Sequence, residues 1–146
     1  LLFIRRVSAT TTVTRVTPDY IADSKAHSMQ DKAIPADIAI FRIHGPFLFG
    51  STDQLDQVID HVNDLPPIVA FRLRNMTALD ATGLKALEDA ADRLRASGRH
   101  ALFCGARRQP AALMASSGFA AHVGADNICP HLDAALERAA QIRKKS

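Results

Sequence analysis

The chain has 146 residues, 47% of them hydrophobic, which suffices for one domain with an apolar core and no supporting metal or disulfide. Its 18 Lys and Arg against 15 Asp and Glu, with no Trp and one Tyr, argue against a nucleic-acid-binding surface. Two cysteines without a C-x-x-C spacing exclude a disulfide framework and favour a reducing compartment.

The first 36 residues differ in pattern from the remainder of the chain. Residues 1–6 place the apolar run Leu-Leu-Phe-Ile before two arginines, which is typical of a last transmembrane helix that ends in a basic cytoplasmic flank. Residues 7–36 show no sustained periodicity and are predicted to be a linker, with one short strand around residues 11–17. Residues 37–146 are predicted to form the folded domain.

The periodic part of the chain begins with a predicted hairpin. Residues 38–43 and 47–49 are expected to be its two strands, with Gly45-Pro46 as the turn. Ser51 and Gln54 have the spacing of a capping box, which predicts that the first helix begins there.

Strands and helices then alternate to the end of the chain. Strands are predicted at residues 68–73 and 101–104 and near residues 122–123. The boundaries of the later helices are predicted from caps and breakers, which are Asp80, Gly98, Pro110, Gly118 and Pro130.

This alternation predicts an α/β fold, with a mainly parallel or mixed sheet of four to five strands and about four helices. Arg72 and Arg74 alternate with Phe71 and Leu73, whereas a strand that is covered on both faces is continuously apolar. We therefore expect the helices to pack mainly on one face of the sheet and the other face to be partly open.

Catalytic motifs are not found in the sequence. It contains no G-x-x-x-x-G-K-[ST] or G-x-G-x-x-G phosphate loop, no G-x-S-x-G elbow and no zinc spacing among its six histidines. Cys104 is interpreted as a small buried apolar residue rather than a reactive thiol, and His44 as a solvated turn residue. The sequence predicts neither enzymatic activity nor a metal site.

One edge of the predicted sheet carries the candidate binding residues. The N-terminus of the helix after Asp80 favours anions, although Asp80 can itself cap the free N–H groups. Gly83 costs that helix roughly 1 kcal/mol against Ala, which indicates either close packing or close approach by a partner. Arg107 and Arg108 precede the third helix and are expected at the same edge, where they suit an anionic ligand or an acidic partner.

The motif Asp80-Ala81-Thr82-Gly83-Leu84 after a strand, with Ser117-Gly118-Phe119 after the third helix, resembles the STAS domain. STAS domains occur in anti-sigma-factor antagonists and at the cytoplasmic C-terminus of SulP-family anion permeases. Residues 15–20, 30–35 and 40–50 are similar to the bacterial SulP version, so residues 1–6 would fall where the last membrane helix of a permease ends.

This resemblance implies a non-enzymatic regulatory and interaction domain of a permease for sulfate, bicarbonate or organic anions, at the cytoplasmic face of the bacterial inner membrane. The implied partners are the transmembrane domain of the parent permease, cytosolic regulatory proteins and a second copy through a dimeric parent, with no nucleic acid. No obligatory cofactor is implied, only weak binding of GTP or ATP near residues 80–83.

The resemblance to the antagonists departs at one position. In those proteins a partner kinase phosphorylates the serine directly after the Asp, but Ala81 stands here and has no hydroxyl. Thr82 could accept phosphate, yet it matches the neighbour of the acceptor, so an antagonist-type switch is not expected. Two alternatives stay open: a free-standing switch protein, which predicts Ser at position 81, and a small enzyme or nucleotide-binding module, which requires a dyad or a phosphate loop.

Overall fold

A computed structural model describes residues 10–16 and 34–145, so the prediction for residues 1–6 lies outside the described part of the chain. The described residues form one mixed sheet and five helices. The strands are β1 (Thr12–Arg15), β2 (Ile38–Phe47), β3 (Ile68–Arg72), β4 (Met76–Leu79), β5 (His100–Cys104) and β6 (Ile128–Cys129). The helices are α1 (Asp53–Asp60), α2 (Ala81–Ala96), α3 (Arg108–Ser116), α4 (Phe119–Val123) and α5 (Leu132–Lys145). None of these helices is long and apolar enough to cross a bilayer.

The sheet has the order β1-β2-β3-β5-β6, with β4 paired to the end of β2. β1 is antiparallel to β2, and every other pair is parallel. The predicted α/β class with a mixed, mainly parallel sheet is therefore confirmed, with six strands instead of four to five. The short strand predicted around residues 11–17 is present as β1.

Helices α1 to α4 pack on one face of the sheet, over a row of aromatic rings. Phe41, Phe71 and Phe103 are in register on neighbouring strands, with ring centroids 6.2 and 5.4 Å apart. Phe119 at the start of α4 meets the Phe103 ring edge-on at 5.1 Å. Stacked and edge-on pairs of this kind add to the energy of burial and fix the positions of the strands against the helices.

Helix α5 covers the opposite face, so the expectation that this face is partly open is wrong. Alternate residues of β2, β3 and β5 are apolar on this side as well, and they pack with Leu132, Ala135, Ala139 and Ile142 of α5. Arg72, on which that expectation rested, lies on this face and is only 5% exposed. The strands are thus apolar on both faces for most of their length, and the arginine comes only where β3 ends.

The predicted hairpin at Gly45-Pro46 is also wrong, because β2 continues through both residues to Phe47. At this point β2 stops pairing with β3 and begins pairing with β4, and the register shifts between Gly45 and Pro46. Gly45 has φ +92°, and a proline without an N–H is tolerated at such a bulge. Turn-forming residues here mark a change of partner strand rather than a reversal of the chain.

The predicted capping box at the start of α1 does not form. Thr52 is the N-cap residue and makes no side-chain capping bond. The Ser51 hydroxyl instead bonds back to Leu48, and the Gln54 side chain accepts a 2.8 Å hydrogen bond from the Val13 N–H of β1. A tertiary partner for Gln54 therefore outcompetes the local cap.

The strand predicted near residues 122–123 is a helix. Phe119 and Val123 are one helical turn apart and both are buried, which defines α4, while the strand that completes the sheet is β6. The helix boundaries at Gly98 and Gly118 are as predicted, since both glycines follow a helix end with φ near +80°.

Candidate functional site

The carboxyl ends of the parallel strands bring three loops to one edge of the sheet. We call this the carboxyl edge; it comprises residues 48–52, 73–83 and 105–109. The Arg107 Nε donates a 2.7 Å hydrogen bond to the Arg74 backbone oxygen, and the Leu73 N–H donates to the Cys104 carbonyl at 2.8 Å. The segment that carries Arg107 is therefore in direct contact with the segment that follows β3, at the edge where the sequence predicts Arg107 and Arg108 to lie.

Gln109 joins these loops in a way that the sequence did not reveal. Its side-chain oxygen accepts from the Leu79 N–H and its amide nitrogen donates to the Leu79 carbonyl, both at 2.8 Å. The amide thus pairs with the last residue of β4 as a neighbouring strand would. Because a glutamine near a helix start is ordinary, only the tertiary structure shows this role.

We expect Gln109→Ala to destabilise the domain by about 1–3 kcal/mol, because it leaves two backbone groups of the buried Leu79 without their partners. Chemical denaturation of the variant and of Gln57→Ala, an exposed position on α1, gives the comparison. Equal midpoints for the two variants would show that water replaces the amide at no cost.

Asp80 is the N-cap of α2, as predicted, and it also holds the loop before α1. One carboxylate oxygen accepts from the Gly83 N–H at 2.8 Å, and the other accepts from the Phe49 N–H at 3.0 Å. These two hydrogen bonds lower the pKa of Asp80 below its ordinary value. The N-terminus of α2 is thus occupied by an ionised carboxylate of its own chain, which an external anion would have to displace.

Gly83 lies where α2 packs against the end of β2. A Cβ at this position would be 2.0 Å from the Phe47 carbonyl oxygen and 2.9 Å from a Leu79 methyl carbon. Of the two explanations that the sequence left for this glycine, close packing within the domain is therefore the correct one. Ala81 and Thr82 are exposed on the first turn of the same helix.

Arg107 and Arg108 lie at the start of α3, and both are exposed. No side chain caps this helix. Its first N–H groups therefore donate to no carboxylate, whereas in α2 the Gly83 N–H donates to Asp80. The predicted site residues thus lie on one edge, but the two helix N-termini there differ in charge: α2 is capped by the Asp80 carboxylate, while α3 begins beside two arginines.

Both cysteines are buried, as predicted for Cys104. Burial raises the pKa of the Cys104 thiol to about 12; the neighbouring Cys129 raises it further, and Arg72 opposes the shift. A thiol with so high a pKa carries almost no nucleophilic thiolate at neutral pH.

We expect Cys104 and Cys129 to react with a thiol reagent at pH 7 only when the domain opens. The physical reason is that both side chains are shielded and the pKa of each thiol is raised by burial. Labelling followed by mass spectrometry should give complete modification in denaturant and little without it. Fast labelling of the native protein would contradict the buried placement.

The histidines provide no site of their own within residues 10–16 and 34–145. No group of three His, Cys, Asp or Glu side chains in these ranges could hold a metal ion. His44 is exposed on β2 rather than in a turn, and His122 pairs with Asp92 at 2.8 Å on the surface.

The chain and its fold are similar to those of known proteins. A family model described as STAS domain matches residues 30–135. A putative sulfate transporter, YvdB of Bacillus subtilis (strain 168), is 23% identical over 134 residues, which are 91% of this chain and 24% of that protein. The chain therefore spans about a quarter of the length of the curated relative it matches.

Solved structures show the same fold. A sulfate transporter family protein from Wolinella succinogenes is 28% identical with a TM-score of 0.72, over 80% of this chain and 96% of that one. The SulP transporter STAS domain from Vibrio cholerae is 23% identical with a TM-score of 0.66, over 88% of this chain and 97% of that one. An anti-sigma factor antagonist from Mycobacterium paratuberculosis is 19% identical with a TM-score of 0.63, over 90% of this chain and 97% of that one.

Proposed function

The chain belongs to the STAS domain family, and on that premise we propose that it is a non-enzymatic regulatory and interaction domain of a SulP-type anion transporter. The observation that supports this proposal is the match to the Bacillus transporter, which extends over 91% of this chain and only 24% of the transporter. The first partner would then be the transmembrane part of the same polypeptide, at the cytoplasmic face of the bacterial inner membrane. Cytosolic regulatory proteins and a second copy in a dimeric parent are further proposed partners.

Transport by the full-length gene product tests this proposal. We expect cells that express it to take up sulfate, bicarbonate or an organic anion, and deletion of residues 34–145 to change the rate or its regulation. Gln57→Ala, an exposed position on α1 outside the candidate site, is the control substitution and should leave transport unchanged. Absence of membrane-spanning segments in the gene product, or unchanged transport after the deletion, would contradict the proposal.

A free-standing switch protein of the antagonist type is the second candidate, because antagonists share the fold. Position 81 argues against it: Ala81 is exposed at the first residue of α2, where a kinase could reach it, but it has no hydroxyl. Incubation with ATP and an anti-sigma-factor kinase should leave the chain unmodified. Stoichiometric phosphate on Thr82 would favour the switch protein instead.

We further propose that the domain binds GTP or ATP weakly and does not hydrolyse either nucleotide. The carboxyl edge offers exposed arginines at the start of α3, whose guanidinium groups suit phosphate, but no activated nucleophile or base. NMR shift mapping with GTP should give changes in residues 75–83 and 105–109. Steady nucleotide turnover that is abolished by one point mutation would contradict the absence of hydrolysis. Chemical-shift changes confined to the opposite edge of the sheet would contradict the proposed binding site.

A further inference from the structure

Phe49 stands out on the surface of the domain. It is the one large hydrophobic residue in the described part of the chain that is strongly exposed, at 82%. Its loop is nonetheless well held, because the Phe49 N–H donates to the Asp80 carboxylate and the Ser51 hydroxyl bonds to the backbone of Leu48. The ring is thus displayed in water by a hydrogen-bonded loop.

Cationic side chains lie at the same edge of the sheet. Arg74, Arg107 and Arg108 are all exposed there, and the Arg107 side chain contacts the Arg74 backbone. Hydrogen bonds link the segment that carries Arg107 and Arg108 to Phe49. The Gln109 side chain bonds to the Leu79 backbone, and the carboxylate of the next residue, Asp80, accepts from the Phe49 N–H.

Asp80 is the one acidic residue within the carboxyl edge, and it uses both carboxylate oxygens on backbone N–H groups. Asp53 and Asp56 are exposed beside this edge, in the first turn of α1. Of the helices that begin at this edge, α3 has no acidic residue in its first turn and no side-chain cap, so its N-terminal partial positive charge adds to that of the arginines. The carboxyl edge itself therefore carries three exposed arginines, one hydrogen-bonded aspartate and one projecting aromatic ring.

We propose that the carboxyl edge docks on the anionic headgroup surface of a lipid bilayer, with Phe49 inserted among the headgroups and Arg74, Arg107 and Arg108 on the lipid phosphates. An aromatic ring beside basic side chains is the combination that interfacial membrane binding uses, and anionic lipid attracts each exposed basic residue. The inference rests on the proposed function, because a transporter domain is held within reach of the inner leaflet.

The surroundings of Phe49 favour a bilayer over a protein groove. No other large hydrophobic side chain among the described residues is strongly exposed, so the ring is not the centre of a larger apolar patch. A stable protein interface has an apolar core of several residues, whereas a bilayer interface accepts a single ring with a cationic rim.

The chain contains no tryptophan, so Phe49→Trp introduces a single tryptophan, at the proposed contact. We expect its emission to shift to shorter wavelength with phosphatidylglycerol vesicles, and to shift far less with phosphatidylcholine vesicles or inorganic phosphate. Asn63→Trp is the matched control, because Asn63 is exposed and its carbonyl contacts Arg99 at the opposite edge of the sheet. Its emission should not change.

Arg107→Gln/Arg108→Gln in the Phe49→Trp background tests the charge. Since each basic residue near an anionic surface strengthens binding about fivefold, the double variant should partition into these vesicles about 25-fold less well. Vesicle binding by the purified chain does not depend on transport, so its failure is distinguishable from failure of the proposed function. The lipid assignment would be overturned if the emission of Phe49→Trp did not shift with anionic vesicles, or if it shifted equally with both lipids. It would also be overturned if the emission shifted only when the detergent-solubilised parent protein was added in place of vesicles.

Discussion

Gly83→Ala is expected to destabilise the domain by at least about 2 kcal/mol, although alanine is the better helix former by roughly 1 kcal/mol. The added methyl group would lie 2.0 Å from the Phe47 carbonyl oxygen, and that atom belongs to the backbone of a central strand that cannot rotate away. Helix α2 would have to move off β2, which separates Leu84 and Leu87 from the core. The sign of the effect is therefore opposite to the one that helix propensity predicts.

Thermal melting of Gly83→Ala beside Thr82→Ala measures this directly. The first variant should melt on the order of 8 °C or more below the wild type, and the second, on the exposed side of the same helical turn, should melt within a degree or two. Gly83→Val adds two further carbons to the same contact and should fail to give a folded domain. A rise in melting temperature for Gly83→Ala would show that the close approach of α2 to β2 is not real.

Asp80→Ala is expected to cost about 1–2 kcal/mol, because it removes the cap of α2 and also the acceptor for the Phe49 N–H. Asp80→Asn is the matched variant, since asparagine is as good an N-cap but carries no charge. Chemical denaturation at pH 7 should give Asp80→Asn a free energy of unfolding between that of the wild type and that of Asp80→Ala.

The pH dependence follows from the lowered pKa of Asp80. A carboxyl group with a pKa below its unfolded value of 3.8 stabilises the fold fully at pH values well above 3.8. That stabilisation is lost as the pH falls through the folded pKa, because both states are then protonated. The difference in stability between the wild type and Asp80→Asn should therefore be constant from pH 6 to 8 and should shrink below about pH 4. A constant difference down to pH 2 would contradict an ionised cap.

The sequence by itself determined the elements whose signals are local. Helix α2 is the clearest case: Asp80 caps it, Gly98 follows its end, and Leu84, Leu87 and Leu94 face the core. Each of these signals acts within one or two helical turns, and in α2 no distant partner draws the capping side chain away. The alternation of such helices with apolar strands was likewise enough to predict the α/β class and the mainly parallel sheet.

Only the tertiary structure decided the features that depend on a distant partner. β4 exists because the end of β2 offers it an edge beyond Gly45, and Gln54 leaves its predicted cap because β1 supplies a backbone donor. At the candidate site, Gln109 and Phe49 acquire their roles from Leu79 and Asp80, about 30 residues away in each case. Hydrogen bonds at such separations have no signature in neighbouring residues, because the partner is brought into place by the folded sheet and not by the local chain.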